Sequence, residues 1–224
     1  MATGRLIACL VGFGLPLASG VTLAHADGEH LKGRFYLNLR SGVGYGALAH
    51  ETGDELCLLG DCVDFTFDFE VRGMAVPIGV SVGGTLAENL VFYGDFSFWF
   101  MVAEGDAVEI NGEGAPDDVT AIAHALGVGP GLAYYFTPAN IYVAGTIAIT
   151  AIGAEVEENH ERVFEFNAGR GIGGSVRVGK EWRLSKRWGL GAAAEAFVTS
   201  NPSTGDGGRR TSKFFGLLCS ATLN

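Results

Sequence analysis

His124 is the residue of this sequence best suited to act as a general base. Pairing the two segments that flank the short turn at 137–140 places His124 opposite Gly153, with Glu155 diagonal to it. A base oriented by a carboxylate is part of the arrangement that activates a nucleophile. The next position on the same face is Leu126, which supplies no nucleophile. The sequence therefore predicts no catalytic residue, and we do not expect an enzyme.

Acidic residues gather in three segments that could offer oxygen ligands to calcium or magnesium. None of the segments has the spacing of an EF-hand loop, so a solvated anionic surface is the expected role and no metal site is predicted. An unidentified ligand of these acids stays an open alternative. The three groups are Glu51, Asp54, Glu55, Asp61 and Asp64; Asp106, Glu109, Glu113, Asp117 and Asp118; and Glu155, Glu157, Glu158 and Glu161.

A glycine-rich stretch from Gly169 to Gly174 matches the G-x-G-x-x-G pattern of dinucleotide-binding loops. That pattern holds a pyrophosphate only where a strand precedes it and a helix follows it, within a βαβ unit. Here the alternation of a strand continues through the glycines instead. They are interpreted as small positions within a sheet, and no cofactor is expected.

The N-terminus has the anatomy of a secretory signal peptide. Arg5 supplies the basic region, Leu6 to Leu23 the apolar region, and Ala24-His25-Ala26 a cleavage site of the A-x-A type. We therefore expect a cleaved signal peptide over 1–26 and a single exported domain over 27–224.

Cys57 and Cys62 stand close together in the exported part of the chain. Oxidising compartments favour disulfides, so this spacing predicts a bond between the two thiols. A zinc site is less favoured, because no second pair of Cys or His residues lies at suitable spacing. Cys219 stands alone near the C-terminus.

Most of the exported chain alternates apolar and polar residues with a period of two, the pattern of strands with one apolar face. In the clearest segment Phe92, Phe96 and Phe98 alternate with Asp95 and Ser97. Near Arg72-Gly73 the alternation slips, which predicts a β-bulge that resets the register. The predicted strands are 33–46, 66–85, 90–103, 120–136, 140–154, 163–184, 188–200 and 212–224.

The connections between these strands are alternately long loops and short turns. The long loops lie near 47–65, 104–119, 155–162 and 201–211. Outer-membrane barrels combine an even strand number with this alternation of connections. A membrane helix would need about 20 consecutive apolar residues, which no segment after residue 30 supplies. The formal net charge of −10 argues against nucleic-acid binding. The predicted fold is an all-β, eight-stranded antiparallel up-and-down transmembrane barrel.

Five charged residues fall on the predicted inward face: Arg40, Asp95, Arg177, Glu181 and Glu195. The interior of an eight-stranded barrel is narrow enough for side chains to fill it. Both signs of charge are present, so an ion-paired, plugged interior is the favoured interpretation, with a narrow polar channel as the alternative.

Three stretches resemble small eight-stranded outer-membrane β-barrels, the group that contains OmpX and the OmpA membrane domain. They are Phe35-Tyr36-Leu37-Asn38-Leu39, the hairpin at Gly179-Lys180-Glu181-Trp182, and the last strand from Phe214 to Asn224. The resemblance implies the outer membrane as location. It implies outer-membrane lipids, lipopolysaccharide and the barrel-insertion machinery as partners. In that group the last strand commonly ends on an aromatic residue that the insertion machinery reads, whereas this chain ends on Leu223-Asn224.

A structural or surface-interaction role, carried out by a monomer, is therefore the expected function. The alternatives are a narrow porin-like channel for small or hydrophobic solutes and, third, a lipopolysaccharide-modifying enzyme, since some eight-stranded barrels deacylate or acylate that lipid. The lipid A deacylases have a serine where this sequence has Leu126.

Overall fold

The computed structural model of this protein describes residues 35–58, 61–110, 113–116, 119–158, 161–167, 169–185, 187–202 and 208–223. Within these ranges only the backbone is described for 51–58, 61–68, 106, 110, 158 and 161–167. The predicted signal peptide lies outside the described residues and stays a prediction. No described helix is long and apolar enough to cross a membrane.

Strands make up nearly all of the described chain. They are β1 (Tyr36–Leu58), β2 (Asp61–Ala87), β3 (Leu90–Glu104), β4 (Val108–Ile110), β5 (Glu113–Gly114), β6 (Val119–Phe136), β7 (Ile141–Glu158), β8 (Glu161–Asn167), β9 (Gly171–Arg183), β10 (Trp188–Pro202) and β11 (Arg209–Leu223). A single turn of 3-10 helix, Gly105–Ala107, separates β3 from β4.

Eight of the strands close into an antiparallel barrel, in the order β1, β2, β3, β6, β7, β9, β10 and β11. The ring closes where β1 pairs with β11, from Leu37 opposite Leu223 to Glu51 opposite Arg209. The eight-stranded barrel predicted from the alternating pattern is thereby confirmed.

The two ends of the barrel differ in how the strands are connected. At one end, called the turn end, the connections are 88–89, 137–140 and 184–187. Asn89 and Asn140 adopt positive φ angles of 63° and 54° there, a conformation that asparagine tolerates better than most residues. The other end, called the hairpin end, carries the extended β1–β2 hairpin and the short strands β4, β5 and β8.

Large apolar side chains cover the outside of the barrel. A soluble barrel buries such residues inside and exposes its polar ones, so this distribution is that of a barrel surrounded by hydrocarbon. The exposed residues include Leu39, Val43, Met74, Ile78, Phe92, Phe96, Val128, Leu132, Val143, Ile147, Val176, Val178, Phe215 and Leu217.

Three details of the predicted strands are wrong. The predicted first loop, 47–65, is mostly strand, because β1 and β2 stay paired from Glu51 opposite Asp68 up to Leu58 opposite Asp61. The predicted bulge at Arg72-Gly73 is absent, since the register with β1 runs unbroken from Ala75 to Val71.

The third error concerns the predicted loop 155–162 and the predicted strand 163–184. The loop is mostly strand, because β7 continues to Glu158 and β8 begins at Glu161, and the predicted strand is divided into β8, paired only with β7, and β9. The side-chain amide of Asn201 donates to the carbonyl oxygens of Gly169, at 2.9 Å, and Thr150, at 3.0 Å. At the gap between β8 and β9, these two side-chain hydrogen bonds take the place of backbone hydrogen bonds between strands.

Candidate functional site

The centre of the barrel holds a charged cluster built around Arg40 of β1. Its Nη1 and Nη2 donate to the two carboxylate oxygens of Asp95 at 2.9 and 2.8 Å. Ser81 accepts from Arg40 at 2.9 Å and donates to Asp95 at 2.6 Å. The Nε of Arg40 lies 3.4 Å from Glu195. All four side chains are buried, so one cation holds two carboxylates away from water.

A second polar group lies nearer the turn end, around Glu181 of β9. The hydroxyls of Tyr135 and Thr222 donate to one carboxylate oxygen of Glu181 at 3.1 and 2.6 Å. Thr222 in turn accepts from Asn38 at 2.9 Å. Glu181 is therefore held by neutral hydroxyls and not by a cation, unlike the two carboxylates beside Arg40.

Arg177 lies between these two groups and is less fully bonded. It is 2% exposed, and its Nη2 reaches the hydroxyl of Tyr93 at 3.5 Å. Its Nε and Nη1 have no hydrogen-bond partner, and the same holds for one oxygen of Glu195, the residue opposite Arg177 in the register. Five predicted charges thus lie inside the barrel, but they do not all form ion pairs with one another.

Glycines on neighbouring strands make room for this cluster. A Cβ built at Gly79 would overlap the Arg40 guanidinium, and one built at Gly131 would overlap the ring of Tyr93. Large polar side chains fit inside so narrow a barrel only where the facing position has no side chain.

The half of the interior nearer the hairpin end holds a large apolar cluster, beside which a group of polar side chains is also buried: His50, Thr150, Thr199, Asn201, Arg210 and Ser212. Trp99 stacks with Phe214 and Phe197, at ring-centroid distances of 5.1 and 6.4 Å, directly above the charged cluster. The rest of this layer is Leu48, Phe69, Val71, Ala75, Met101, Ala103, Val108, Ala115, Val119, Ala121, Ala123, Ala125, Ile152, Ala154 and Val156. The apolar layer and the charged cluster fill the barrel one above the other.

The alternating pattern does not predict this apolar layer when large apolar residues are assigned to the outside and a bulge is placed near Arg72-Gly73. An uninterrupted alternation through Arg72 places Phe69 and Val71 inside the barrel, and this alternation is the signal in the sequence that indicates the layer.

Arg209 and Arg210, adjacent in the sequence, point to opposite sides of the barrel wall. Arg210 is buried, and its Nε donates to Nδ1 of His50 at 3.1 Å. Arg209 is exposed on the outside. His50 therefore accepts a hydrogen bond at Nδ1 from inside the barrel.

A surface ion pair lies on the outside of β2, where the apolar band ends. Arg72 donates from Nε and Nη2 to the two oxygens of Glu70, both at 2.8 Å, and its Nη1 lies 3.7 Å from Glu109. The hydrogen bonds with Glu70 raise the pKa of the Arg72 guanidinium above its usual value. The positive charge of Arg72 is therefore balanced by the carboxylates of Glu70 and Glu109.

His124 lies on the outside of β6, opposite Gly153 and Phe100, and its ring stacks on that of Phe98 at 6.2 Å. Glu155 is opposite Ile122, diagonal to the histidine, as the turn-based pairing predicted. The outward neighbours of His124 along its own strand are Ile122 and Leu126.

Cys57 and Cys62 are directly opposite each other in the β1–β2 hairpin. Their side chains are outside the described part of the structure, so the disulfide stays a prediction. Cys219 is exposed on the outer face of β11, with a free thiol. Among the described residues, no three His, Cys, Asp or Glu side chains form a group that could hold a metal ion.

No protein-family profile and no curated protein matches this chain. Solved structures do. The outer membrane protein OprG from Pseudomonas aeruginosa is 10% identical, with a TM-score of 0.51 over 88% of this chain and 100% of OprG. Neisserial surface protein A is 14% identical, with a TM-score of 0.42 over 84% and 96% of the two chains. The Escherichia coli outer membrane protease OmpT is 11% identical, with a TM-score of 0.45 over 88% and 99%. The likeness to OprG shows a shared fold, that of an outer-membrane β-barrel.

Proposed function

We propose that this protein is a sealed, non-enzymatic barrel of the Gram-negative outer membrane, which acts through the surface that its hairpin end presents outside the cell. The fold and the apolar exterior support the membrane location. The short connections of the turn end suit the periplasmic side, and the longer hairpins suit the outside.

The observation that carries the proposal is the filling of the interior by two layers in series. The Arg40–Asp95–Glu195 group closes the middle of the barrel by ion pairing. The Trp99, Phe197 and Phe214 rings close it again nearer the hairpin end. An ion would have to break a buried ion pair and cross an apolar layer, and each step carries a large desolvation cost.

Single-channel recording on the refolded protein in a planar bilayer tests the proposal. We expect no steady openings from the wild type. Heat-modifiable gel mobility of the same sample would show that the protein is folded. Long-lived openings from a folded wild type would contradict a sealed interior and would favour a porin-like channel.

The apolar layer favours a second candidate, a path for small hydrophobic solutes. Its side chains belong to the hairpin end, where such a solute would enter from outside, and Trp99 provides a fluorescent reporter within it. Saturable quenching of Trp99 by a brominated alkane, lost in Trp99→Phe, would support this candidate. Quenching confined to the exposed Trp182 and Trp188 would argue against it.

A further inference from the structure

The outer face of β11 carries two cations and a hydroxyl where the apolar band ends. Lys213 and Arg209 are exposed, and Thr211 between them is half-buried. The alternate residues, Ser212 and Phe214, are buried inside the barrel. The three outward side chains therefore form a line along the strand, with about 7 Å between successive positions.

A second hydroxyl lies beside this line. Ser200 of β10 is opposite Thr211, and it is half-buried on the same outer face. Neighbouring strands lie about 4.8 Å apart, so the two hydroxyls are side by side between the two cations. We call Ser200, Arg209, Thr211 and Lys213 the rim patch. Arg170, exposed one residue before β9, extends it on the side of β10.

The rim patch lies at the edge of the exposed apolar band, since Lys213 is opposite the exposed Val198 of β10 and Ser200 is opposite the exposed Ile172 of β9. Phe215, the next outward residue after Lys213, is 58% exposed, and its register partner Tyr45 is 52% exposed. Exposed aromatic residues of this kind mark the interface between hydrocarbon and headgroups in outer-membrane barrels. The cations are thus at the level where lipid phosphate groups begin.

Elsewhere on the rim, the side chains that the structure describes have a different charge. On the β3–β6–β7 side Thr120 is flanked by Glu104 and Glu157, both on the outer face. On β2 the charge of Arg72 is taken up by Glu70 and Glu109. The one acidic residue in register with the rim-patch cations is Glu51, opposite Arg209. Among the described side chains of the rim, a concentration of cations is therefore a local feature of β11, in a chain of net charge −10.

We propose that the rim patch binds the phosphate group of an outer-leaflet glycolipid of the lipopolysaccharide type. The Arg209 guanidinium donates to two phosphate oxygens at once, Lys213 adds a second cation, and the hydroxyls of Ser200 and Thr211 donate to the remaining oxygens. The acyl chains of the same lipid lie against the exposed Phe215 and Leu217. The proposal rests on the orientation proposed above, with the hairpin end outside.

The test is native mass spectrometry and binding titration of the refolded full-length mature protein in detergent with purified lipopolysaccharide. The variant Arg209→Gln/Lys213→Gln removes both cations from exposed positions and keeps side chains of similar length. We expect binding to weaken roughly tenfold or more, since hydrogen bonds to charged groups are the stronger class. The matched control is Lys180→Gln, which removes an exposed cation from the same outer wall near the turn end.

Two further probes identify the ligand. Lipopolysaccharide stripped of its phosphate groups should bind the wild type as weakly as intact lipopolysaccharide binds the double variant. Inorganic phosphate alone should not compete. Equal binding by wild type and a folded double variant would overturn the proposal, and competition by inorganic phosphate would assign the patch to free phosphate instead. Should the double variant fail to fold, lipopolysaccharide binding is compared between the wild type and the variants Thr211→Val and Ser200→Ala, which should also bind more weakly.

Conductance of the same preparations separates this inference from the proposed function. A protein that conducts ions but binds lipopolysaccharide through the rim patch would refute the sealed interior alone. A closed barrel whose lipopolysaccharide binding ignores Arg209 and Lys213 would refute the lipid site alone.

Discussion

Arg40 and Asp95 meet inside the barrel through two parallel hydrogen bonds of 2.9 and 2.8 Å, although they come from strands that are not neighbours. The long Arg40 side chain crosses over β2, where Gly79 leaves the space that it needs. The contact therefore ties β1 to β3 through the interior, in addition to the hydrogen-bond ladder of the wall.

Replacing Arg40 by alanine should destabilise the barrel strongly. Asp95 and Glu195 would remain buried without their cation, which costs about 3–5 kcal/mol in measured cases. The measurement is the urea midpoint of folding into lipid vesicles, followed by gel mobility. Arg72→Ala is the control, because it removes an exposed ion pair of the same type and should change the midpoint little. An equal loss in both variants would show that burial of the Arg40 pair has no special energetic role.

Gly79→Ala should disturb the same ion pairs without removing any charge. The added methyl group overlaps the guanidinium of Arg40, so that side chain must shift away from Asp95. Overpacking of a filled interior costs about 1–3 kcal/mol. Gly94→Ala is the control, because a Cβ at that outward position meets only the Val82 carbonyl oxygen, at 3.8 Å. The prediction fails if the two variants have the same folding midpoint.

Trp99→Ala should lower stability by about 3–5 kcal/mol, the usual cost of a large cavity in a packed interior. The variant should nevertheless remain closed to ions, because the charged cluster below still seals the barrel. Only the double variant Trp99→Ala/Arg40→Ala should show openings in a planar bilayer. Trp188→Ala is the control, since that side chain is 44% exposed on the outside. Openings from Trp99→Ala alone would show that the ion-paired layer does not seal.

Cys57 and Cys62 should be joined in protein purified from the periplasmic or membrane fraction. Their direct opposition in the hairpin brings the two backbones as close as neighbouring strands allow, and export provides an oxidising environment. Mass spectrometry after alkylation without reductant should find one modified thiol, Cys219. Closing so small a loop adds at most a few kcal/mol, so Cys57→Ser/Cys62→Ser should still fold. Three alkylated thiols would exclude the disulfide.

The sequence predicted the barrel well because one physical constraint acts along its whole wall. A side chain facing hydrocarbon must be apolar, so residues such as Asp95 and Arg177 were assigned to the inside by alternation alone. Both are buried. The same constraint ends where hydrocarbon ends. At Arg72 the outside is water, and the apolar Phe69 and Val71 face inward.

The partners of the interior charges were beyond the reach of the sequence. Register identifies the residue opposite Arg177 as Glu195, yet Glu195 contacts Arg40. Which carboxylate a guanidinium reaches depends on side-chain length and on space left by glycines such as Gly79. Neither is encoded in an alternating pattern. The rim patch was hidden for a similar reason, since only the register of β10 and β11 places Ser200 beside Thr211.

The seam between β1 and β11 has a consequence for the order of assembly. Most other contacts in the wall join strands that follow each other closely along the chain, whereas Leu37 meets Leu223. Bringing such distant segments together carries the largest loop-closure entropy of any pairing in the wall, so we expect the seam to form last. Until then β1 and β11 each present a row of unpaired backbone groups that hydrocarbon cannot satisfy. Without this seam the wall would be an open sheet with two unpaired edges, so we expect completion of the seam to be required before the barrel is stable in the bilayer.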